Sequence, residues 1–370
     1  MHLIGFRLAE KYNHKSYKYI ILIYIYIYIN MTDRVDTNDT NPIVPQQYEK
    51  ITIGSTQQPV TSIGSVQVCG IVVTGLKDVI LQWEKGTGMQ FRERTKTKCL
   101  VTLENGSCHN VTIKSSYSVD SGPFMELVEA HPAIGPWAPQ NGPGGAPGYQ
   151  GYALKNVRRA HRLMINAGFT RVAHCGNDFA IYRGVNGLLV KLIDETLLPP
   201  MGEPNVPQAP IDLGKITHVD VAILKYAKVK KQYKAVLGIA PNETYTEYFA
   251  TDALMDFSGV IVATDVQVAV SNTLPTLQFE NVLPSLGVFA CTNKTYNIHP
   301  AWTVPAYSLP DINLQMIAAG FVLNTKVDLP EFGGLILAYY TGPGDYWVEI
   351  VDVRFDFTPV IPPPPSSSSN

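Results

Sequence analysis

The sequence has little charge and no excess of one sign. It carries 31 acidic against 29 basic side chains, a formal net charge of −2, and charged residues make up only 16% of its 370 positions. No half of the chain and no stripe within it is basic, so the electrostatic pattern of a nucleic-acid-binding protein is missing. Hydrophobic residues reach 45%, which a packed core requires. We therefore expect a mostly folded chain with room for about two domains, and no nucleic-acid partner.

Several chemical motifs are also missing. The five cysteines are odd in number and form no Cys-x-x-Cys pair, so neither a disulfide framework nor a zinc cluster is indicated. No serine nucleophile elbow occurs. The GPGG run at 142–145 lacks the lysine and the following helix of a phosphate-binding loop. These absences remove the commonest hydrolase and nucleotide-binding classes.

The longest apolar run, KYIILIYIYIYI at 18–29, is shorter than the roughly 20 residues that cross a bilayer. No small-residue cleavage site follows it. Three interpretations remain: translated upstream sequence with Met31 as the true start, a signal or anchor, and an edge strand. We favour the first. With Met31 as the start no targeting segment remains, and we then expect a cytoplasmic protein without membrane contact.

Four segments share one order of elements: a strand, a helix and three strands. They begin at VQVCGIVV (66–73), GYQGYAL (148–154), ITHVDVAIL (216–224) and NIHPAWTV (297–304). Alternating apolar residues predict the strands, and apolar residues three and four apart predict the helices. A single unit would leave one face of its sheet bare. The sequence therefore predicts an α+β fold of four βαβββ modules, paired into two curved mixed-sheet half-barrels.

The expected domain organisation follows from this repeat and from the Pro-, Gly- and Ser-rich stretches between and after the modules. We expect a disordered or misannotated extension (1–60), a first domain (61–199), a linker (200–215), a second domain (216–357) and a low-complexity tail (358–370).

Four motifs of the chain together resemble those of the vicinal oxygen chelate superfamily. They are the runs VQVCGIVV and GPFMELVEA, the link GPW…GYQGYAL and the AGF that ends two predicted helices. This superfamily includes glyoxalase I, extradiol dioxygenases and bleomycin-resistance proteins. The resemblance covers residues 66–353. It implies glyoxalase-like domains whose barrels each offer four inward positions to one divalent metal, on the first and last strands of both modules.

In the first half, these four positions fall on Val68, Glu126, Tyr149 (or its neighbour Gln150) and Lys191. Valine cannot bind a metal, and a lysine ammonium has no lone pair and repels a cation. We expect the first domain to be metal-free, serving as a structural partner or an organic-ligand pocket.

In the second half, the resemblance places metal ligands at His218, Gln278, His299 and Glu349. Two histidines and a carboxylate form the triad that holds Fe(II) in oxygenases. A fourth oxygen ligand such as Gln278 instead resembles the glyoxalase pattern, in which Zn or Ni polarises a carbonyl. Glu280, two residues beyond Gln278 on the same strand face, would complete the shell or move a proton.

Alternation also turns Asp220 to the face that carries His218. Against the metal site stands the ordinary role of a strand histidine as a hydrogen-bonded core residue. Pro300, directly after His299, departs from the family pattern because it removes a strand donor.

The expected function is metal-dependent lyase, isomerase or dioxygenase chemistry on a small, oxygen-chelating substrate. Gln278, Glu280 and Glu349 are the expected catalytic residues, and the cofactor is a divalent metal ion: Fe(II), Zn, Ni or Mn. The alternative is a metal-free binding or scaffold protein without catalysis. Because both barrels lie in one chain, we expect a monomer.

Overall fold

A computed structural model shows the architecture of the chain. It describes residues 62–119, 123–138, 148–199, 213, 216–237, 245–273, 275–291, 297–342 and 346–356. The predicted extension, almost all of the predicted linker and the predicted tail lie outside these residues. The domain boundaries accordingly stay a prediction.

The first barrel contains eight strands and two helices. The strands are β1 (Val68–Val72), β2 (Thr95–Leu103), β3 (Cys108–Tyr117), β4 (Phe124–His131), β5 (Gly148–Leu154), β6 (Thr170–Cys175), β7 (Phe179–Arg183) and β8 (Leu189–Asp194). Helix α1 (Leu76–Thr87) follows β1, and helix α2 (Val157–Asn166) follows β5.

The second barrel repeats this plan. Its strands are β9 (His218–Ala222), β10 (Tyr245–Phe257), β11 (Val260–Ser271), β12 (Thr276–Leu283), β13 (Asn297–Val304), β14 (Val322–Leu329), β15 (Gly334–Thr341) and β16 (Trp347–Asp352). Helix α3 (Tyr226–Leu237) follows β9, and helix α4 (Leu309–Ala318) follows β13. Short 3-10 helices occupy Gly135–Trp137, Val185–Gly187, Glu195–Leu197, Gly287–Phe289 and Pro330–Phe332. Within the described residues, no helix combines the length and the apolarity needed to cross a membrane.

Local sequence explains where a helix such as α2 starts and stops. The side chain of Asn156 accepts a hydrogen bond from the backbone N–H of Arg159 at 3.2 Å, which satisfies one free donor of the first turn. Gly168 follows the helix with φ +82°, a left-handed conformation that glycine adopts without strain. Val157 and Met164 lie on the buried face, as their spacing predicts.

The strand order confirms the predicted fold class. The sheets run β1-β4-β3-β2-β6-β7-β8-β5 and β10-β11-β12-β9-β13-β16-β15-β14, and each closes on itself. Within each module the first strand pairs in parallel with the last one, and the first strands of the two modules pair antiparallel. Closure rests on only two register pairs in each barrel, between β2 and β6 and between β10 and β14. The half-barrels predicted from sequence are therefore barrels that close over a short contact.

The helices join the two barrels. Trp83 of α1, which is fully buried, stacks on Tyr346 of the fourth module with ring centroids 4.8 Å apart. It also meets Phe321 edge-on at 5.4 Å. On the other side, Tyr233 of α3 meets Phe169 of the second module at 5.6 Å. Each barrel thus completes the hydrophobic core of the other.

We predict that Trp83→Ala lowers the free energy of unfolding by about 3–5 kcal/mol, because it empties a buried site between the barrels. Urea denaturation followed by circular dichroism measures this loss. The matched control is Leu81→Ala on the same helix, where the side chain is 52% exposed, and we expect a change within about 0.5 kcal/mol. Equal losses in both variants would contradict this account of the interface.

Candidate metal centre

Strand register places the predicted ligands at equivalent positions in the second barrel. In the β9–β12 pair, Asp220 lies opposite Gln278, and in the β13–β16 pair, Ala301 lies opposite Glu349. His218 and His299 each precede those first-strand residues by two positions, so both histidines share the inward face of their strands. The local two-fold relation between the modules therefore equates His218 with His299 and Gln278 with Glu349.

These side chains meet in the barrel interior. His218 Nε2 lies 3.2 Å from Asp220 Oδ2, and His299 Nε2 lies 3.8 Å from the same oxygen. His299 Nε2 also lies 3.3 Å from Glu349 Oε2. The exposed fraction is 0% for Asp220 and His299 and 5% for Glu280, the largest value among these acids and histidines. The cluster is therefore sealed from solvent.

Two sets of three potential ligands can be distinguished within this cluster. One is His218, Asp220 and Glu349, and the other is Glu280, His299 and Glu349. In each set the ligand atoms all lie within 4.8 Å of one another. The structure thus brings the predicted His218, His299, Glu280 and Glu349 together. It adds Asp220 as a full member of the cluster and shows that both sets share Glu349.

A chain of hydroxyl groups fixes the orientation of His218. Its Nδ1 lies 2.9 Å from Thr217 Oγ1, which lies 2.9 Å from Thr303 Oγ1. Thr303 donates its hydrogen to the carboxylate of Asp356, so it can only accept from Thr217. Thr217 has one hydrogen, which it can give to the Ala301 carbonyl oxygen at 3.2 Å or to Thr303, and its oxygen then accepts from Nδ1–H of His218. In the neutral imidazole the lone pair is then on Nε2, which faces Asp220, as in a metal-binding histidine.

Two donors hold Glu280. Gln278 donates from Nε2 to Glu280 Oε1 at 3.1 Å, and the Tyr339 hydroxyl donates to the same oxygen at 3.3 Å. The Tyr339 ring also meets the His299 ring edge-on at 5.5 Å. Gln278, predicted as the fourth ligand, therefore contacts the cluster through its amide nitrogen and orients Glu280. The sequence prediction missed Tyr339, which its place on the inward face of β15 could have suggested.

Electrostatics in the cluster are unfavourable for free carboxylates. Burial raises the pKa of Glu280 to about 7. Burial, with the charge of Glu280 next, raises the pKa of Asp220, and burial with the charge of Asp220 raises that of Glu349. Burial lowers the pKa of His299 to about 3, with His218 adding to the effect. Each of these shifts has the sign expected when charge is buried without a counter-ion.

The donor set fits a divalent cation. No backbone, amide or hydroxyl group in the described part of the chain donates to the fully buried Asp220, whose neighbours are His218, His299 and the Glu349 carboxyl, with which it can share a proton. Within that part, the only basic side chains at ion-pair distance from these acids are His218 and His299. Imidazole nitrogen and carboxylate oxygen are the ligands that Mn, Fe, Ni and Zn accept. These histidines and acids are therefore the residues that would hold such a cation.

The first barrel fills the equivalent positions differently. In the strand pairs, Gly70 lies opposite Glu126 and Gly151 lies opposite Lys191. Glu126 and Lys191 therefore occupy equivalent inward positions, and their side chains meet inside the barrel. Lys191 Nζ lies 2.9 Å from both oxygens of Glu126, and Tyr149 donates to Glu126 at 2.6 Å.

A second tyrosine, Tyr117, donates to Glu126 at 2.8 Å. Gln150, the alternative position on this strand, instead lies next to Tyr152, whose hydroxyl is 3.4 Å from its carbonyl oxygen. The lysine ammonium therefore occupies the centre that a metal would occupy in the second barrel.

We predict that Lys191→Met lowers the free energy of unfolding by about 3–5 kcal/mol, because it leaves the Glu126 carboxylate buried without its partner. The double variant Glu126→Gln/Lys191→Met should recover most of this loss, since no charge then remains. Urea denaturation of the two variants measures both effects. Arg183→Met, which breaks a surface pair with Glu104, should cost less than about 1 kcal/mol. A loss for Lys191→Met no larger than this surface value would contradict the ion-pair interpretation.

Comparison with known proteins finds likenesses among solved structures. A triple mutant of 4-hydroxymandelate synthase from Streptomyces coelicolor is 13% identical, with a TM-score of 0.46 over 80% of this chain and 93% of that one. The 2,2',3-trihydroxybiphenyl 1,2-dioxygenase from Sphingomonas wittichii is 12% identical, with a TM-score of 0.40 over 79% and 90%. The Mn(II)-bound glyoxalase from Novosphingobium aromaticivorans is 12% identical, with a TM-score of 0.40 over 80% and 82%.

No protein-family model matches the chain, and no curated protein matches it by sequence. The strand order, the parallel pairing of first and last strands and the four inward positions in each barrel identify the fold independently of those likenesses. The chain therefore has the predicted glyoxalase-like fold, in which four βαβββ modules pair into two barrels.

Proposed function

We propose that the second barrel binds divalent metal through His218, His299 and Glu349, and that the protein uses it to transform a small substrate with two neighbouring oxygen atoms. The observation that supports this proposal most directly is that three buried acids and two buried histidines meet with their ligand atoms within reach of one ion. Leaving such charges unpaired in the interior would cost several kcal/mol per ion. A bound divalent ion would remove most of that cost.

The surrounding side chains would give the centre its chemistry. When bound, a divalent ion polarises a substrate oxygen as a Lewis acid. Thr217 holds His218 with Nε2 directed into the cluster. Gln278 and Tyr339 hold Glu280 in one orientation beside the ligands, as proton transfer by a general acid or base requires. We therefore assign metal binding to the histidines and Glu349, and proton transfer to Glu280.

The reaction class follows from the ligand set. Two histidines with a carboxylate suit Fe(II) and an oxygenase, whereas additional oxygen ligands suit a lyase or isomerase that uses Mn, Ni or Zn. Sulfur ligands are missing from both ligand sets. The identity of the bound metal would separate the two reaction classes.

Apolar side chains pack beside the cluster in the second barrel. Phe289 of the 3-10 helix Gly287–Phe289 meets Tyr339 edge-on at 5.2 Å. Both belong to an apolar cluster that also includes Trp347 and Met255. A monomeric, cytoplasmic enzyme remains part of this proposal.

One observation favours the metal-free alternative. Asp220 Oδ2 lies near both histidines, at 3.2 and 3.8 Å, so a carboxylate could link two protonated imidazoles where a metal would otherwise bind. The first barrel shows such a replacement, with Lys191 as the central cation. A binding or scaffold protein without catalysis would then be expected.

We predict that the full chain, purified without chelators, contains at least one equivalent of Mn, Fe, Ni or Zn by elemental analysis. His299→Ala should lose at least half of the bound metal, because it removes a nitrogen ligand. Metal removal should also lower the melting temperature of the wild type, since the ion binds the folded state.

His109→Ala is the matched control, because His109 lies on β3 of the first barrel beside Ser107. It should retain all of the metal. A wild type that binds no metal, even after reconstitution with each ion, would contradict the proposal and favour the metal-free alternative.

A further inference from the structure

The same short loop follows β4 in the first barrel and β12 in the second. HPAIGPWA (131–138) and LPSLGVFA (283–290) have proline, glycine, an aromatic residue and alanine at the same places. Gly135 and Gly287 have φ of +56° and +54°, a left-handed conformation that glycine adopts without strain. Each glycine begins a 3-10 helix that ends at a buried aromatic side chain, Trp137 or Phe289. The loop is therefore a repeated element of the fold.

We propose that residues 284–291, the gate loop, control access to the buried centre of the second barrel, and that Phe289 closes the path. Metal and substrate enter past Gly287 when the loop moves outward, and Phe289 limits the size of the molecule that passes. The identity of what enters rests on the proposed function, whereas the movement of the loop does not.

The gate loop lies against the short contact that closes the second barrel. Phe257 of β10 and Thr325 of β14 form one of the two register pairs of that contact. A Cβ atom on Gly287 would lie 2.5 Å from Thr325 Oγ1 and 3.0 Å from the Phe257 ring. Only a glycine therefore lets the loop approach both strands at the point where they meet.

A surface pocket of about 390 Å³ lies on the outer side of this point. Its lining includes Phe257, Val262, Leu286, Gly287 and Asn324. The volume falls in the range of small-molecule pockets, roughly 300–1,000 Å³. A small molecule in this pocket contacts the gate loop directly, because Leu286 and Gly287 belong to the loop.

The inner side of the gate loop reaches the candidate metal centre. The buried Phe289 ring meets the Tyr339 ring edge-on at 5.2 Å, and the Tyr339 hydroxyl lies 3.3 Å from Glu280 Oε1. Cys291 Sγ lies 3.1 Å from the carbonyl oxygen of Ala222, at the end of β9. The surface pocket and the buried centre therefore lie on opposite sides of one short loop.

Hydrogen bonds hold the gate loop largely to itself. Ser285 Oγ donates to the carbonyl oxygen of Phe289 and accepts from the backbone N–H of Cys291 at 3.1 Å. The side-chain amide of Asn297 donates to the Val288 carbonyl oxygen and links the loop to β13. The buried Thr325 hydroxyl, which faces the loop, has no hydrogen-bond partner among the described residues. A segment bonded to itself opens locally at a low cost in free energy.

The first barrel has the same arrangement and supplies a matched control. A pocket of about 570 Å³ lies over Gly135. Behind it, the Trp137 ring meets the Phe179 ring edge-on at 5.9 Å, and Lys191 Nζ lies 5.8 Å from the centre of the Phe179 ring. Trp137→Ala therefore makes an equivalent change in the loop of the barrel whose centre is already an ion pair.

The first test follows the thiol of Cys291, which is buried behind the gate loop. Full-length protein is treated with N-ethylmaleimide, and peptide mass spectrometry gives the labelling rate of each cysteine. In the wild type we expect Cys291 to label faster than the buried Cys69, since only the loop has to open. Ser285→Ala removes two hydrogen bonds and should raise the Cys291 rate about tenfold, with the Cys69 rate unchanged.

The second test measures passage to the centre. Full-length protein is loaded with Mn(II), and the release of Mn(II) to excess EDTA is followed by electron paramagnetic resonance. Release should be about tenfold faster in Ser285→Ala and in Phe289→Ala, because both weaken the closed loop. Trp137→Ala should release Mn(II) at the wild-type rate.

The outcomes separate the gate from the proposed function. Bound Mn(II) that leaves all variants at the wild-type rate would overturn the gate and leave the proposed function standing. The absence of bound Mn(II) would overturn the proposed function. Labelling of Cys291 no faster than that of Cys69 in the wild type would overturn the gate whether or not metal binds.

Discussion

The structure depends on how each barrel neutralises the carboxylates that it buries. A charged group removed from water is stable only when an opposite charge and hydrogen bonds replace the solvent. The first barrel supplies both from its own chain, through Lys191 and two tyrosines around Glu126. The second barrel buries three acids and supplies only histidines near them, and this difference is the basis of the proposed metal site.

The two barrels share one backbone arrangement but surround their buried acids with different side chains. The pairing register of the strands, and not the local sequence, decides which positions face inward. In each barrel the first strands of two modules pair antiparallel and each pairs in parallel with the last strand of its own module. The side chains at these positions differ between the two barrels, whereas the strand order is the same. Gly70 and Asp220 occupy equivalent positions in the two barrels. In the first barrel the Tyr149 ring fills the space beside Gly70, and in the second barrel the Asp220 carboxylate lies at that position.

Sequence alone predicted the elements and most of the side chains that meet inside the second barrel. Alternating strands and the capped helix α2 carry local signals, and the resemblance to a known family indicated His218, His299 and Glu349. The contacts that specify the chemistry were not predictable, because they join residues far apart in the chain. Tyr339 reaches Glu280 from another module, and Thr303 reaches His218 through Thr217. The role of Gln278 also differs from the prediction: it lies two residues before Glu280 on the same strand, and its amide nitrogen donates to that carboxylate.

The most direct test of the central claim is anomalous diffraction from crystals of the full chain grown with Mn(II). Data collected on both sides of the absorption edge locate each ion without reference to activity. The account predicts anomalous density among His218, His299 and Glu349 and none beside Lys191 in the first barrel. No anomalous density in the second barrel, with Asp220 bridging the two histidines directly, would contradict it.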